Sequence, residues 1–159
     1  MIENHIMKFF LLLVALLFIW LAGCMKHGQG CTTVKPQDEE PQILAYVSAN
    51  GITATKHSSG LYYQIIDTGT GAWATANSQV TVNYTGKLLN GTTFDKNPSY
   101  TAALNKLIEG WQIGIPLIKK GGHVELIIPS SLAYSCNGSG ASIPANSVLY
   151  FDVWLTDFK

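Results

Sequence analysis

Residues 80–95, Val80-Thr81-Val82-Asn83-Tyr84-Thr85-Gly86-Lys87-Leu88-Leu89-Asn90-Gly91-Thr92-Thr93-Phe94-Asp95, carry the reading of the fold. Val80, Val82 and Tyr84 alternate with Thr81, Asn83 and Thr85, the period of two that a half-buried strand requires. Asn90-Gly91 supplies the backbone freedom for a tight reversal, and Thr92-Thr93-Phe94 starts the return. Further along, residues 123–129 place Val124, Leu126 and Ile128 on one face and His123, Glu125 and Ile127 on the other. Residues 147–158 form a last strand with Leu149, Phe151, Val153 and Leu155 inward, and Tyr150 and Trp154 on the opposite face. Upstream, residues 59–66 are rich in β-formers and end at the turn Thr68-Gly69-Thr70-Gly71. The main helical candidate, 104–119, is cut by Gly110, Gly114 and Pro116 to a short segment centred after Trp111. Residues 130–146 read as a Gly/Ser/Asn-rich loop. The pattern predicts an α+β fold over residues 60–159, an antiparallel β-sheet wrapped around one short α-helix.

Before this domain, residues 42–59 read as a short helical extension. Pro41 stands in its first turn, Ile43, Leu44, Tyr46 and Val47 supply apolar contacts, and Asn50-Gly51 stops it. Because Tyr150 and Trp154 would otherwise leave an exposed apolar patch, this helix is expected to pack over both.

Composition narrows the function. The chain has 159 residues, 47% of them hydrophobic, which suits one globular domain with additions. Ten basic and ten acidic residues leave no net charge, so the electrostatic footprint of a nucleic-acid binder is missing. The four histidines show no ligand spacing with one another or with the cysteines, so no metal is expected.

The hydrophobicity is concentrated in residues 9–22, FFLLLVALLFIWLA, behind Lys8. A charged start, an apolar core and small residues at its end read as a signal peptide over residues 1–23, with a permanent spanning helix, which would need ~20 apolar residues, as the alternative. Leu21-Ala22-Gly23-Cys24 resembles the bacterial lipobox at each position, which implies cleavage before Cys24 and lipidation of its thiol. More than one acyl chain is needed for stable membrane attachment. Met25, where inner-membrane lipoproteins carry Asp, resembles lipoproteins of the outer membrane, so the expected location is the periplasmic side of the bacterial cell envelope. Residues 24–41 read as a flexible tether with a coil reach of roughly 20–25 Å. Cys31 and Cys136 could pair in an oxidising compartment, but spacing leaves a disulfide and two free thiols both open.

Four ordered signatures carry a family resemblance. They are Val82-Asn83-Tyr84-Thr85-Gly86, Thr93-Phe94-Asp95, Leu107-Ile108-Glu109-Gly110-Trp111 and Leu132-Ala133-Tyr134, followed by Tyr150-Phe151-Asp152-Val153. Together they resemble an FKBP-type peptidyl-prolyl cis-trans isomerase, with Leu61-Tyr62-Tyr63 and Gly69-Thr70-Gly71 matching the start of bacterial members. The resemblance implies a catalytic group of Tyr84, Asp95, Trp111 and Tyr134, and a substrate-binding group of Phe94, Tyr100, Leu107, Ile108, Ile143 and Phe151. Trp111 would be the floor, the Ile108 N–H and Tyr134 would each hold a substrate carbonyl, and Tyr84 would donate to Asp95. Independently of the family, Asp95 is expected to be buried and hydrogen-bonded, as a carboxylate inside an aromatic wall must be. Amide rotation breaks no bond, so no cofactor is implied. The expected partners are proline-containing polypeptides, and the expected role is assistance to the folding of exported proteins. A lipid-anchored module that binds proline segments with little turnover is the alternative. The chain departs from the family at the rim: no arginine follows Asp95, Ser135 replaces a glycine, and Ser139 stands where histidine is common. Macrolide ligands are implied by the resemblance alone, and these departures predict weaker binding than the family norm.

Overall fold

The computed structural model describes residues 30–159, and residues 31–159 form one unit. The signal peptide and Cys24 lie outside the described residues. The elements are α1 (Pro36–Ala49), β1 (Thr55–Lys56), β2 (Tyr62–Asp67), β3 (Thr70–Trp73), β4 (Gln79–Leu88), β5 (Thr93–Ala103), α2 (Glu109–Gly114), β6 (Lys119–Lys120), β7 (His123–Ile128) and β8 (Leu149–Phe158). Six strands make an antiparallel sheet in the order β1-β2-β7-β8-β4-β5, and β3 pairs with β6 separately.

The alternation read in 80–88 has the register it needs. Val82 and Tyr84 face the main core with Leu126, Phe151 and Val153, and β4 turns into β5 at Gly91, whose φ of 88° is left-handed. The returning strand is longer than Thr92-Thr93-Phe94 suggested, and it runs through Pro98 to Ala103. It lies at the sheet edge, where a proline without an N–H is tolerated.

Helix α2 lies against β7 because Gly110 and Gly114 offer it a face without side chains. A Cβ at Gly110 would sit 2.4 Å from Ile128 Cγ2, and one at Gly114 would sit 2.6 Å from Leu126 Cδ2. The helix is therefore short for two reasons: these glycines weaken it, and Pro116 turns its end into a 3-10 turn at Ile115–Leu117.

The opposite sheet face holds a second, smaller core of Ile43, Tyr62, Ile127, Val148 and Tyr150 under α1. Two expectations change. The helix begins at Pro36, so residues 36–41, read as tether, are its first turns. Pro36 takes the N-terminal position assigned to Pro41, Asp38 and Glu39 complement the helix dipole, and side-chain bonds offset the N–H lost at Pro41. Those bonds are Glu40 with Lys56 at 2.7 Å and with the Tyr62 hydroxyl, and the Ser130 N–H to buried Glu39 Oε2 at 2.8 Å. Second, α1 covers Tyr150 through Tyr46, ring centroids 5.6 Å apart, but does not reach Trp154. Trp154 is 43% exposed and stacks instead on His123, which is paired with Asp152. Neighbouring strand residues cover one face of the indole, so no helix is required.

Cys31 and Cys136 form a disulfide, with Cα atoms 5.3 Å apart. Together with Thr33 Oγ1 and Ser135 Oγ at 2.8 Å, it fastens the arm before α1 to the turn that follows Tyr134.

Candidate active site

The motifs converge on a cavity of about 190 Å³ lined by Tyr84, Phe94, Asp95, Tyr100, Leu107, Ile108, Trp111, Tyr134 and Phe151. Its size fits a single ring rather than a drug-sized ligand, for which about 300–1,000 Å³ is usual. Strand β4 contributes Tyr84, β5 contributes Phe94, Asp95 and Tyr100, and β8 contributes Phe151. The segment before α2 contributes Leu107 and Ile108, α2 contributes Trp111, and Tyr134 comes from the loop between β7 and β8.

Trp111 is 4% exposed and forms the floor. Its indole meets Tyr84 edge-on at 5.0 Å and Phe151 edge-on at 5.2 Å, and Phe94 meets Phe151 in the same manner at 5.5 Å. Such edge-to-face contacts favour one arrangement of the rings over sliding ones. Gly86 makes the wall possible, because a Cβ there would lie 2.6 Å from Phe94 and 2.8 Å from Phe151. The Tyr84 hydroxyl donates to Asp95 Oδ2 at 2.5 Å, as the resemblance implied.

Several hydrogen-bond donors at the cavity are unengaged among the described residues. The Ile108 N–H has no acceptor, because the turn at Leu104–Lys106 ends one residue earlier and α2 starts one residue later. The Tyr134 hydroxyl and the buried Trp111 Nε1 likewise have no partner. Gln112 Nε2 donates to the Leu107 carbonyl at 2.7 Å and so braces the segment that presents the Ile108 N–H. This bracing residue was not among the sequence candidates, since a glutamine on a short helix reads as solvated. Burial foremost, and then the bond to Asp95, raises the Tyr84 pKa above its ordinary value. Burial and then the negative charge of Asp95 raise that of Tyr134. Both phenols are thus neutral donors at ordinary pH.

Two expectations are corrected. Ile143 does not line the cavity: it is 6% exposed, packs in the main core and exchanges backbone hydrogen bonds with Ser139, which closes the loop below the rim. Asp95 is exposed rather than buried, since it lies on an edge strand at the cavity mouth and only one oxygen is held by Tyr84. Ser135 adopts φ 51°, a left-handed conformation that explains why glycine is usual there.

An antiparallel sheet closed on one short helix, with an indole-floored cavity between them, defines the class of prolyl-isomerase folds that the motifs suggested. The model of the FKBP-type peptidyl-prolyl cis-trans isomerase family matches residues 71–156. The chain is 46% identical over 110 residues to the FKBP-type peptidyl-prolyl cis-trans isomerase FkpA of Buchnera aphidicola, covering 66% of this chain and 43% of that protein. It is 41% identical over 127 residues to a probable FKBP-type isomerase of Haemophilus influenzae, covering 77% of this chain and 53% of that protein. The crystal structure of FkpA from Escherichia coli superposes with a TM-score of 0.69 at 36% identity, over 78% of this chain and 61% of that one. The chain belongs to the FKBP-type peptidyl-prolyl cis-trans isomerase family. It spans about half the length of the curated relatives it matches.

Proposed function

We propose that this chain catalyses cis/trans rotation about X-Pro bonds of exported polypeptides, as a lipid-anchored protein of the bacterial envelope. The observation that carries the catalytic reading is the ring-sized aromatic cavity floored by Trp111, with the Ile108 N–H and the Tyr134 hydroxyl unengaged at its edge.

The obstacle to rotation is amide resonance, a barrier of ~18–20 kcal/mol that leaves X-Pro isomerisation on a scale of roughly tens to hundreds of seconds. The proline ring stacks on the Trp111 indole, walled by Tyr84, Phe94 and Phe151. Dry aromatic surroundings disfavour the charge-separated resonance form of the planar amide, while the twisted amide is less polar and loses less solvation. The Ile108 N–H and Tyr134 hold the flanking carbonyls, so substrate binding energy is directed to the twisted geometry. Tyr84, held by Asp95, keeps the wall in place. Lowering the barrier by ~5–7 kcal/mol accelerates rotation by about four to five powers of ten. No bond is made or broken, so the reaction asks for no nucleophile. Ile143 acts only by packing under the rim.

The test is a protease-coupled assay on an X-Pro peptide with wild type and a Trp111→Ala, Asp95→Ala double variant shown to be folded. Wild-type activity well above the variant is expected. Equal rates would remove the isomerase reading and leave a proline-segment binding module. Weak macrolide binding follows from the altered rim, with Ser135 and Ser139 in place of the family's usual residues.

The envelope reading rests on the signal pattern, on Leu21-Ala22-Gly23-Cys24, and on the Cys31–Cys136 disulfide, since such bonds persist in oxidising compartments. Because Cys31 is bonded to the domain, residues 31–35 are held to it and are not part of a free tether. Mass spectrometry of the mature N-terminus is expected to find an acylated Cys24. An unmodified Met25 or an uncleaved leader would overturn the anchor.

A further inference from the structure

The charge balance at the cavity mouth is unusual for a site built around a carboxylate. Asp95 is the one charged side chain that lines the cavity among the described residues. The sequence contains no arginine, so every side-chain cation other than histidine is a lysine. Lys96 follows Asp95 but pairs across from Thr85, on the opposite face of the β4/β5 ribbon, beside Asn83 and Pro98. Lys106 is exposed in the turn before Leu107 and makes no ion pair among the described residues. The ion pairs of the described residues are Lys56 with Glu40 and Lys120 with Asp157, and Asp152 is hydrogen-bonded to His123, all away from the cavity. Asp95 is exposed, and the Tyr84 hydroxyl is its only side-chain hydrogen-bond partner among the described residues. That neutral donor leaves the formal charge in place. Burial first and then the negative charge of Asp95 raise the Tyr134 pKa, so the field of this carboxylate reaches across the mouth.

We propose that Asp95 is a specificity residue, and that its uncompensated carboxylate makes the site prefer polypeptides with a lysine or arginine next to the proline over those with an acidic residue there. This rests on the isomerase reading above. A cation beside a proline seated on Trp111 reaches a carboxylate that no described residue neutralises, while an anion meets repulsion with no cation among the described residues to relieve it. Because Asp95 is exposed, water screens the interaction, and the discrimination is modest and salt-dependent.

The experiment uses the full chain and avoids a coupling protease, whose own specificity would bias the comparison. Exchange NMR measures isomerisation in peptide pairs that carry Lys or Glu immediately before the proline, and in pairs that carry them immediately after it. Titration calorimetry measures binding of the same peptides. At low salt, the Lys peptide is expected to exceed the Glu peptide by roughly three- to tenfold in kcat/KM, and in affinity, at one of the two positions at least. The ratio should approach one at high salt and in Asp95→Asn, which keeps an acceptor for Tyr84 but removes the charge. A ratio near one in wild type, or one that Asp95→Asn leaves unchanged, would overturn the proposal. Absence of turnover on every peptide would overturn the isomerase reading alone, because the calorimetric Lys/Glu ratio still decides the charge preference.

Discussion

Gly86 stands between the two rings that close the cavity wall, and its missing side chain is the space they occupy. In Gly86→Ala the added carbon must displace Phe94 or Phe151, so the variant is expected to lose about 1–3 kcal/mol in urea unfolding and to show a reduced kcat/KM. The phenols make a second prediction at this scale. Tyr84, Tyr134 and Tyr150 all have pKa values raised by burial first, with Asp95 adding at Tyr84 and Tyr134 and Glu125 at Tyr150. A folded-state pKa above the unfolded value of about 10 means that the stability gained is complete below that pH and is lost as pH rises through the folded value. Thermal melting should therefore be flat with respect to these groups from neutrality to about pH 10 and fall above it. Tyr84→Phe should make that alkaline fall less steep. Most of these side chains were legible in the motifs, because each is a large residue in an ordered pattern. The exposure of Asp95 was not: whether a carboxylate is buried depends on which strand is at the edge, and residues 93–95 alone do not tell.

At the level of elements, α2 and the Tyr134 loop are held in opposite ways. Helix α2 is placed by absence of side chains. Gly110→Ala gains about 1 kcal/mol of helix propensity, yet it drives a carbon into Ile128, so a net destabilisation of about 1–3 kcal/mol is expected from chemical denaturation. The Tyr134 loop is instead held by bonds: the Cys31–Cys136 disulfide, the Thr33–Ser135 hydrogen bond and the Glu39–Ser130 hydrogen bond all reach it from the N-terminal arm and α1. The disulfide spans a sequence separation of 105. Replacing both cysteines with alanine should cost about 2–5 kcal/mol of stability and raise KM more than it lowers kcat, as the turn carrying Tyr134 loosens. The strands of this loop's frame were readable from alternation. The start of α1 at Pro36 was not, because either proline suits an N-terminal position and only the contacts of Glu39 and Glu40 decide between them.

In the whole molecule, two cores lie on the two faces of one sheet, with the candidate site on the larger core's side and α1 on the other. Ile43 is fully buried in the smaller core, so Ile43→Ala should cost about 2–5 kcal/mol in thermal or urea unfolding while leaving kcat/KM on a short peptide near wild type where the chain is folded. A large loss of activity in the folded variant would show that the two faces are coupled. The period-two patterns and the turn glycines were enough to determine the class of fold and the helix against the sheet, and the family resemblance named all nine residues around the cavity, Asp95 among them but without its exposure. Periodicity and motif order are local properties, and they persist whatever the rest of the chain does. The tertiary structure alone decided that Cys31 meets Cys136, that α1 covers Tyr150 and leaves Trp154 to His123, that Ile143 withdraws from the cavity, and that no cation faces Asp95 among the described residues. Each of these joins residues distant in the chain, and such meetings depend on strand order and edge position, which a pattern within one segment does not encode.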